Sequence, residues 1–352
     1  MASKKQISVG NIKIGGGASV SVQTMTNSRT EDIDATLKQI NNAANIGCDL
    51  IRVSCPTQES TVALKSIVKM SPIPVIADIH FNYKRAIEAI EAGASCIRIN
   101  PGNTPFEGIK EIVKVSKEFG TAIRIGINSG SIEKDILDKY KEPSVDAIVE
   151  SAIRHCHKLE DLGFFNFKIS VKSSDVLTSI KAYRKLSSLI DYPLHVGITE
   201  SGTFFPGSIK SAIGIGSLLA DGIGDTIRVS LSDDIANEVK VGKQILKSLG
   251  MLHNAVNIVS CPTCSRTVIN VIGISNKLND YCSNVAKNLK ISVLGCVVNG
   301  IGEAKNADIG IFGFKQGIAK IYVKGVEVSE CQDTEVVSKV IDIIQSFHSY
   351  SV

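Results

Sequence analysis

Tryptophan is missing from this 352-residue chain, and aromatic residues make up only 5% of it. No stretch approaches the roughly 18 uninterrupted apolar residues of a membrane span, so the expectation is a soluble protein without a membrane partner. No basic tract accompanies the formal net charge of +4, which argues against nucleic acid as the partner. The opening Met1-Ala2-Ser3-Lys4-Lys5-Gln6 lacks both the apolar run of a secretory signal and the Arg/Ser-rich character of a transit peptide, so the expected location is cytoplasmic. Low-complexity segments and long linkers are also lacking. What is present is a 43% hydrophobic fraction, enough for a real core, which excludes a disordered chain. The length suits one large barrel plus a smaller domain, or two to three average domains. Nine cysteines, an odd number spread over a cytosolic-looking chain, argue against a disulfide framework and raise the question of a metal.

From about Ala18 to Gly250 a β-branched run alternates repeatedly with an amphipathic helical run. The strand-like runs are Val20–Thr24, Leu50–Cys55, Val75–His80, Cys96–Asn100, Ala122–Asn128, Phe167–Lys172, Leu194–Thr199 and Thr226–Leu231. Glycines 47, 93, 120, 163, 222 and 250 mark the helix stops. Eight evenly spaced βα units match a TIM barrel better than an open doubly wound sheet. The fold expectation is therefore α/β: a (β/α)8 barrel over residues 1–250, then a smaller mixed α/β domain over 251–352. That second domain begins near His253, with strands at Val256–Ser260, Ile291–Gly295, Ile309–Phe312 and Lys320–Val323 and a helix over about Thr334–Phe347.

Alternate strand residues face opposite sides, and the outer face of a barrel must be apolar against its helices. Ile51/Val53, Ile97/Ile99, Ile123/Ile125/Ile127, Ile169/Val171 and Ile227/Val229 therefore point outward. Arg52, Arg98, Asn100, Arg124, Asn128, Lys168, Ser170, Lys172, Arg228 and Ser230 then point in, with Asp78 and His80, and with Ser21 and Gln23. The inward acids are fewer, Asp78 and a rim residue, Glu200. Burying unpaired cations costs several kcal/mol each, so the surplus calls either for a set of internal Arg–Asp/Glu bridges or, the preferred reading, for a multiply charged anion, a diphosphate being the best fit. Glu200 ends the run Gly197-Ile198-Thr199-Glu200 at the catalytic rim, where a carboxylate serves as general acid or base or as an arginine partner. His80 and His195 read as hydrogen-bonded core histidines, and Lys172 as an anion contact before a Schiff-base lysine.

Cys48, Cys55, Cys96 and Cys156 read as small buried apolar residues. Cys261-Pro262-Thr263-Cys264 instead places two thiols within reach of one metal centre, and Cys296 ends a strand before the glycine-rich stretch Asn299-Gly300-Ile301-Gly302, read as a loop. Three thiolates suit an iron–sulfur cluster or a zinc site. Spacing leaves the fourth ligand open among Cys282, Cys331 and Glu303. A carboxylate would bind less firmly than thiolate and yield to substrate, an advantage only in a catalytic cluster.

Ser21-Val22-Gln23-Thr24-Met25-Thr26, Ala77-Asp78-Ile79-His80-Phe81, Arg98-Ile99-Asn100-Pro101-Gly102-Asn103, Arg124-Ile125-Gly126-Ile127-Asn128-Ser129-Gly130, Gly224-Asp225-Thr226-Ile227-Arg228-Val229-Ser230, Cys261-Pro262-Thr263-Cys264-Ser265-Arg266 and Gly295-Cys296-Val297-Val298-Asn299-Gly300 occur in order across essentially the whole chain. Together they resemble the bacterial two-domain 4-hydroxy-3-methylbut-2-enyl diphosphate synthases. The resemblance implies a TIM barrel followed by a [4Fe-4S] domain akin to sulfite-reductase modules. It implies two-electron reductive opening of 2-C-methyl-D-erythritol 2,4-cyclodiphosphate in the non-mevalonate isoprenoid pathway. It implies cluster ligands at Cys261, Cys264, Cys296 and Glu303, and a proton donor at Glu200. Diphosphate contacts are implied at Arg52, Arg98, Arg124, Asn128, Lys172, Arg228 and Ser230, with Asp78 and Thr199 beside them. Ile301 stands where the family usually has proline, and the insertion domain of plant-type members is absent. A low-potential cluster reached by single electrons calls for a flavodoxin or ferredoxin donor.

Helices of a barrel run antiparallel to its strands, so the last one ends at the face opposite the catalytic rim. A strand of about eight residues spans roughly 25 Å. With few residues before Cys261, the expectation is a head-to-tail homodimer with shared sites. A barrel aldolase or phosphate-sugar lyase with a structural zinc domain is the alternative enzyme, and a metal-dependent binding module the third reading.

Overall fold

The computed structural model describes residues 3–347 apart from positions 101, 103, 129, 131, 253 and 284. Pro101, Asn103 and Ser129 of the quoted motifs, and the domain start near His253, therefore lie outside the described residues. The chain forms two compact units, Met1–Met251 and Leu252–Val352.

The first unit opens with a hairpin, β1 (Gln6–Val9) and β2 (Ile12–Gly15). There follow β3 (Ser21–Met25), α1 (Ile33–Asn45), β4 (Leu50–Ser54), α2 (Gln58–Met70), β5 (Val75–Asp78), α3 (Tyr83–Glu91), β6 (Cys96–Ile99), α4 (Phe106–Phe119) and β7 (Ala122–Asn128). Then come α5 (Lys134–Tyr140), α6 (Val145–Asp161), β8 (Phe167–Lys172), α7 (Val176–Ser187), β9 (His195–Val196), α8 (Phe204–Ala220), β10 (Thr226–Ile227) and α9 (Ile235–Ser248). Strands β3 to β10 form one parallel sheet, ordered β8-β7-β6-β5-β4-β3-β10-β9. A parallel bridge between Ile169 and Leu194, with Ile169 N donating to Pro193 O at 3.0 Å, links β8 back to β9 and closes the ring. This is the TIM barrel that the eight repeats predict.

The outward isoleucines and valines of these strands are buried beneath the helices. Side chains of Asp32, Thr57, Asn82, Ser144, Asp175 and Asp234 accept backbone N–H bonds at the starts of α1, α2, α3, α6, α7 and α9. The predicted glycine stops hold: Gly120, for example, ends α4 at φ 67°, where a side chain would be strained. The hairpin was not expected from the sequence. Its Ile7, Val9 and Ile14 pack on Leu50, Ile76, Cys96 and Ala122, at the starts of β4 to β7, and so plug the N-terminal end of the barrel.

The short helix α5 follows β7 and is tied to α6 through one acid. Glu133 accepts from Ser151 Oγ at 2.6 Å and pairs with the buried His155. Burial opposes the charge on Glu133, but the His155 and Ser151 hydrogen bonds outweigh it and bring its pKa to about 2. A depressed carboxylate pKa stabilises the fold above the ordinary value near 4.5 and loses that contribution as pH falls toward 2. Glu133→Gln is therefore expected to lower the thermal midpoint at neutral pH and to match the parent near pH 2. A gap between the two melting curves that does not narrow with acid would contradict this.

The second unit contains β11 (Val256–Ser260), α10 (Val271–Cys282), β12 (Leu289–Leu294), α11 (Val297–Lys305), β13 (Ile309–Lys315), β14 (Ile318–Val323), β15 (Val326–Gln332) and α12 (Val336–Ser346). Its sheet runs β11-β12-β13-β14-β15, parallel for the first three strands and antiparallel for the rest. Val256, Ile291, Val293, Ile311 and Ile321 form its core with Ile274, Leu278, Val340 and Ile344 of α10 and α12. One expectation needs correction, and one strand was missed. The glycine-rich stretch after Cys296 is helix α11 rather than a loop, because Gly300 packs so closely on Phe312 that a Cβ would stand 2.5 Å from it. Cys331 lies in β15, an edge strand hidden in the sequence by its charges and exposed valines.

Candidate active site and thiol centre

The barrel interior gathers the cations that alternation placed there. Arg52, Arg98, Arg124, Lys168 and Lys172 are all buried, and Arg228 is largely so. Asp78 lies between two of them: its Oδ1 is 3.4 Å from Arg98 Nη1 and its Oδ2 3.9 Å from Arg52 Nε. Burial opposes its charge, yet Arg52, the His80 hydrogen bond and Arg98 hold it well below the usual carboxylate range. Arg52 also donates from Nε and Nη2 to Met25 Sδ, at 3.1 and 2.9 Å. Arg124, only 2% exposed, donates from Nε and Nη2 to Ser170 Oγ at 3.2 and 3.0 Å, and its Nη1 is buried with no partner among the described residues.

Burial, then the charges of Arg52 and Arg98, push the Arg124 pKa well down. Burial and the neighbouring Arg124, Arg228, Arg52 and Arg98 do the same to Lys172. Burial brings Lys168 to about 8, where its Nζ donates to Thr226 Oγ1 at 3.2 Å. Asn128 ends β7 in register with Lys172. Thr199 and Ser230 are half-buried beyond the ends of β9 and β10. Gly126 is required by this crowding: a Cβ there would stand 2.5 Å from Arg98 Nε.

One acid was missed in the sequence. Glu238, in the first turn of α9 and 4% exposed, reaches Arg228 Nε at 3.6 Å. Its Oε2 also accepts from Thr24 Oγ1 at 2.6 Å, and its Oε1 from Leu231 N at 2.9 Å. Its signal was an acid one turn into the helix after the last barrel strand, which strand alternation does not inspect. Asp225, bonded to Ser3 Oγ and Leu194 N, is the third buried carboxylate. Internal bridges thus serve Arg52, Arg98 and Arg228. They leave Arg124 and Lys172 without a carboxylate among the described residues, and the surplus is real.

The histidines divide. His80 is hydrogen-bonded to Asp78 at 3.2 Å and lies 3.3 Å from Arg98 Nη1. His195 departs from the expectation of a satisfied core residue. It is fully buried in β9 with neither ring nitrogen partnered among the described residues, and burial and the surrounding cations push its pKa well down.

Glu200 is exposed just past β9 with φ 53°, a left-handed conformation that a non-glycine residue keeps only when its surroundings impose it. They do so here: Thr199 N donates to Ser173 O, Ser201 Oγ to Ile198 O, and Ser232 N to Gly202 O. The side chain is presented outward at the rim and makes no ion pair among the described residues.

In the second unit, Cys261 and Cys296 follow the ends of the neighbouring parallel strands β11 and β12, which are in register at Ser260 and Val293. Gly295 N donates to Cys261 Sγ at 3.2 Å. Thr263, at φ 63°, turns the chain between Cys261 and Cys264, and Cys264 N is held by Thr267 Oγ1 at 3.0 Å. All three are free thiols, half-buried or exposed, and Cys296 stands at the N-terminus of α11. Glu303 lies seven residues on, nearly two helical turns, and so on the same face as Cys296. Among the described residues, no three His, Cys, Asp or Glu side chains converge on one point. The donor set nonetheless suits an iron–sulfur group: soft thiols at adjacent strand ends and a backbone N–H directed at one sulfur. The other cysteines differ. Burial pushes Cys48, Cys55 and Cys156 up to about 12 and Cys96 to about 11, and it raises Cys331, leaving protonated packing residues. Cys282 is buried at the end of α10.

Fold and site together define a TIM-barrel protein with an anion-seeking interior and an appended thiol-bearing α/β domain. The chain belongs to the GcpE family: residues 4–243 match the GcpE TIM-barrel domain and residues 257–346 the GcpE protein C-terminal domain. It is 49% identical over 343 residues to the 4-hydroxy-3-methylbut-2-en-1-yl diphosphate synthase (flavodoxin) of Zymomonas mobilis, covering 97% of this chain and 91% of that one. The synthase of the same name from Rhodospirillum rubrum is 50% identical over 347 residues, covering 97% and 90%. The one from Granulibacter bethesdensis is 52% identical over 322 residues, covering 91% and 83%. Among solved structures, Yersinia pestis dihydropteroate synthase superposes on 70% of this chain and all of its own, with a TM-score of 0.50 at 12% identity, a likeness of fold alone. No helix among the described residues is long and apolar enough to cross a membrane.

Proposed function

We propose that this chain converts 2-C-methyl-D-erythritol 2,4-cyclodiphosphate to 4-hydroxy-3-methylbut-2-enyl diphosphate and water, taking up two electrons and one proton, as an oxidoreductase of non-mevalonate isoprenoid synthesis. The observation that carries this reading is the surplus of buried cations around Arg124 and Lys172, joined to near-full-length similarity to synthases of that name.

The chain's own residues bind and orient. Arg52, Arg98, Arg124, Lys172 and Arg228 hold the diphosphate, and Asn128, Thr199 and Ser230 add neutral donors. Asp78 keeps Arg52 and Arg98 in place. Preorganised charge in a water-poor interior stabilises the diphosphate as a leaving group without reorganisation at the moment of reaction. Glu200 delivers the proton to the departing hydroxyl oxygen. Cys261, Cys264, Cys296 and Glu303 would hold a [4Fe-4S] cluster, which when bound supplies one-electron reduction.

A flavodoxin, named in the relatives, or a ferredoxin supplies the electrons, and the cytoplasm is the expected site of action. Residues 249–255 alone join α9 to β11, and this short connection supports a head-to-tail homodimer with shared sites. The aldolase reading with structural zinc is not favoured, because the relatives are synthases.

Anaerobically purified chain is expected to be brown and to bleach in air. With reduced flavodoxin it should convert the cyclic diphosphate to the alkenyl diphosphate, followed by mass spectrometry. A colourless protein whose Lys172 is trapped by borohydride would overturn the reading, and full activity in a monomer would remove the dimer.

A further inference from the structure

Three of the cage arginines share one arrangement. A guanidinium offers two forks: the side edge of Nε and Nη2, and the end formed by Nη1 and Nη2. Arg52 commits its side edge to Met25 Sδ and Arg124 commits the same edge to Ser170 Oγ. Arg228 has its Nε beside Glu238 Oε2. Each holder sits on a neighbouring element: Met25 on β3 is in register with Arg52 on β4, and Ser170 on β8 lies opposite Gly126, one inward position above Arg124 on β7. Glu238 is fixed in turn by Thr24 Oγ1 and Leu231 N. In Arg52 and Arg124 the terminal fork is the part left unspent. Among the described residues, Arg124 Nη1 is fully buried without a partner, whereas Arg228 is approached at Nε by charge alone, with no hydrogen bond there.

We propose that Met25, Ser170 and Glu238 are positioning residues that hold the side edges of Arg52, Arg124 and Arg228 so that their terminal forks converge on a phosphate-bearing anion. The holders differ in strength, which suits the task. Thioether and hydroxyl are weak acceptors: they orient a guanidinium without neutralising it, so its charge stays available. The carboxylate of Glu238 orients Arg228 and also removes one unit of charge from the cage. This inference rests on the diphosphate reading above.

The test is calorimetric titration of the full-length holoenzyme with inorganic pyrophosphate. Pyrophosphate binding by the parent protein probes the diphosphate reading, and its absence would overturn that reading independently of the holders. If the parent binds, Met25→Leu and Ser170→Ala should each weaken affinity by roughly tenfold, the scale of a hydrogen bond to a charged group. Ser170→Thr, which keeps the hydroxyl, should restore it. Glu238→Gln removes the group that holds Arg228 and one negative charge with it, two opposed effects on pyrophosphate affinity, so its readout is turnover, which should fall because Arg228 is no longer held. Equal thermal midpoints, or midpoints lowered alike for Ser170→Ala and Ser170→Thr, separate positioning from loss of fold. Parent-like affinity in both Met25→Leu and Ser170→Ala, or parent-like turnover in Glu238→Gln, would overturn the proposal.

Discussion

Cys296→Ser should leave the barrel folded and able to bind pyrophosphate while abolishing the brown colour and cutting turnover by more than about 100-fold, above the scale of losing an outer-shell group. The direction follows from chemistry and place. A serine hydroxyl is a poor soft-metal ligand and fits wherever the thiol fitted. Cys296 follows β12 and caps α11 without a side-chain cap bond, so the substitution removes no hydrogen bond that holds the helix. The control is Cys48→Ser. Cys48 is buried against β3, its Sγ donating to Leu50 O at 3.1 Å, and its replacement should cost stability without changing iron content. Iron and labile-sulfide assays with circular dichroism read both variants. Full iron and activity in Cys296→Ser, or loss of iron in Cys48→Ser, would contradict the assignment of ligands.

Glu200→Gln is expected to keep the iron, the colour and the affinity for pyrophosphate, and to lose roughly 10²–10⁴-fold in turnover, the range supplied by one positioned proton donor. Glutamine preserves size and backbone preference, so the left-handed turn at φ 53° is no more strained than before. The neighbouring hydrogen bonds of Thr199, Ser201 and Ser232 are made by other groups and survive. Only the transferable proton is removed. Because Glu200 is exposed at the rim rather than inside the cage, its loss leaves the cation balance around the diphosphate untouched. Near-normal turnover would remove Glu200 from the reaction.

Much of this architecture was legible in the chain. Alternation along β4, β6, β7 and β8 identified Arg52, Arg98, Arg124, Lys168 and Lys172 as interior residues, because an outer face against helices tolerates only apolar side chains. The hairpin β1–β2 was not legible: two four-residue runs before the first repeat carry no periodicity that distinguishes a plug from a leader. Helix α11 was hidden by its glycines, which serve packing against Phe312 rather than a loop. Edge strand β15 was hidden by its charges, which protect an open edge.

By itself, the sequence determined the eight-fold repeat, which side chains enter the barrel, and which cysteines stand apart from the packing set. Period and spacing are local properties, and each follows from the geometry of a single strand or turn. Only the tertiary structure decided which interior cations are paired and which remain in surplus. Glu238 meets Thr24 across 214 residues of chain, Arg124 finds Ser170 across 46, and His195 finds no partner among the described residues. Alternation says that a side chain points inward. It does not say what it meets there, because that depends on barrel closure, strand register and the turn of a helix beyond the rim.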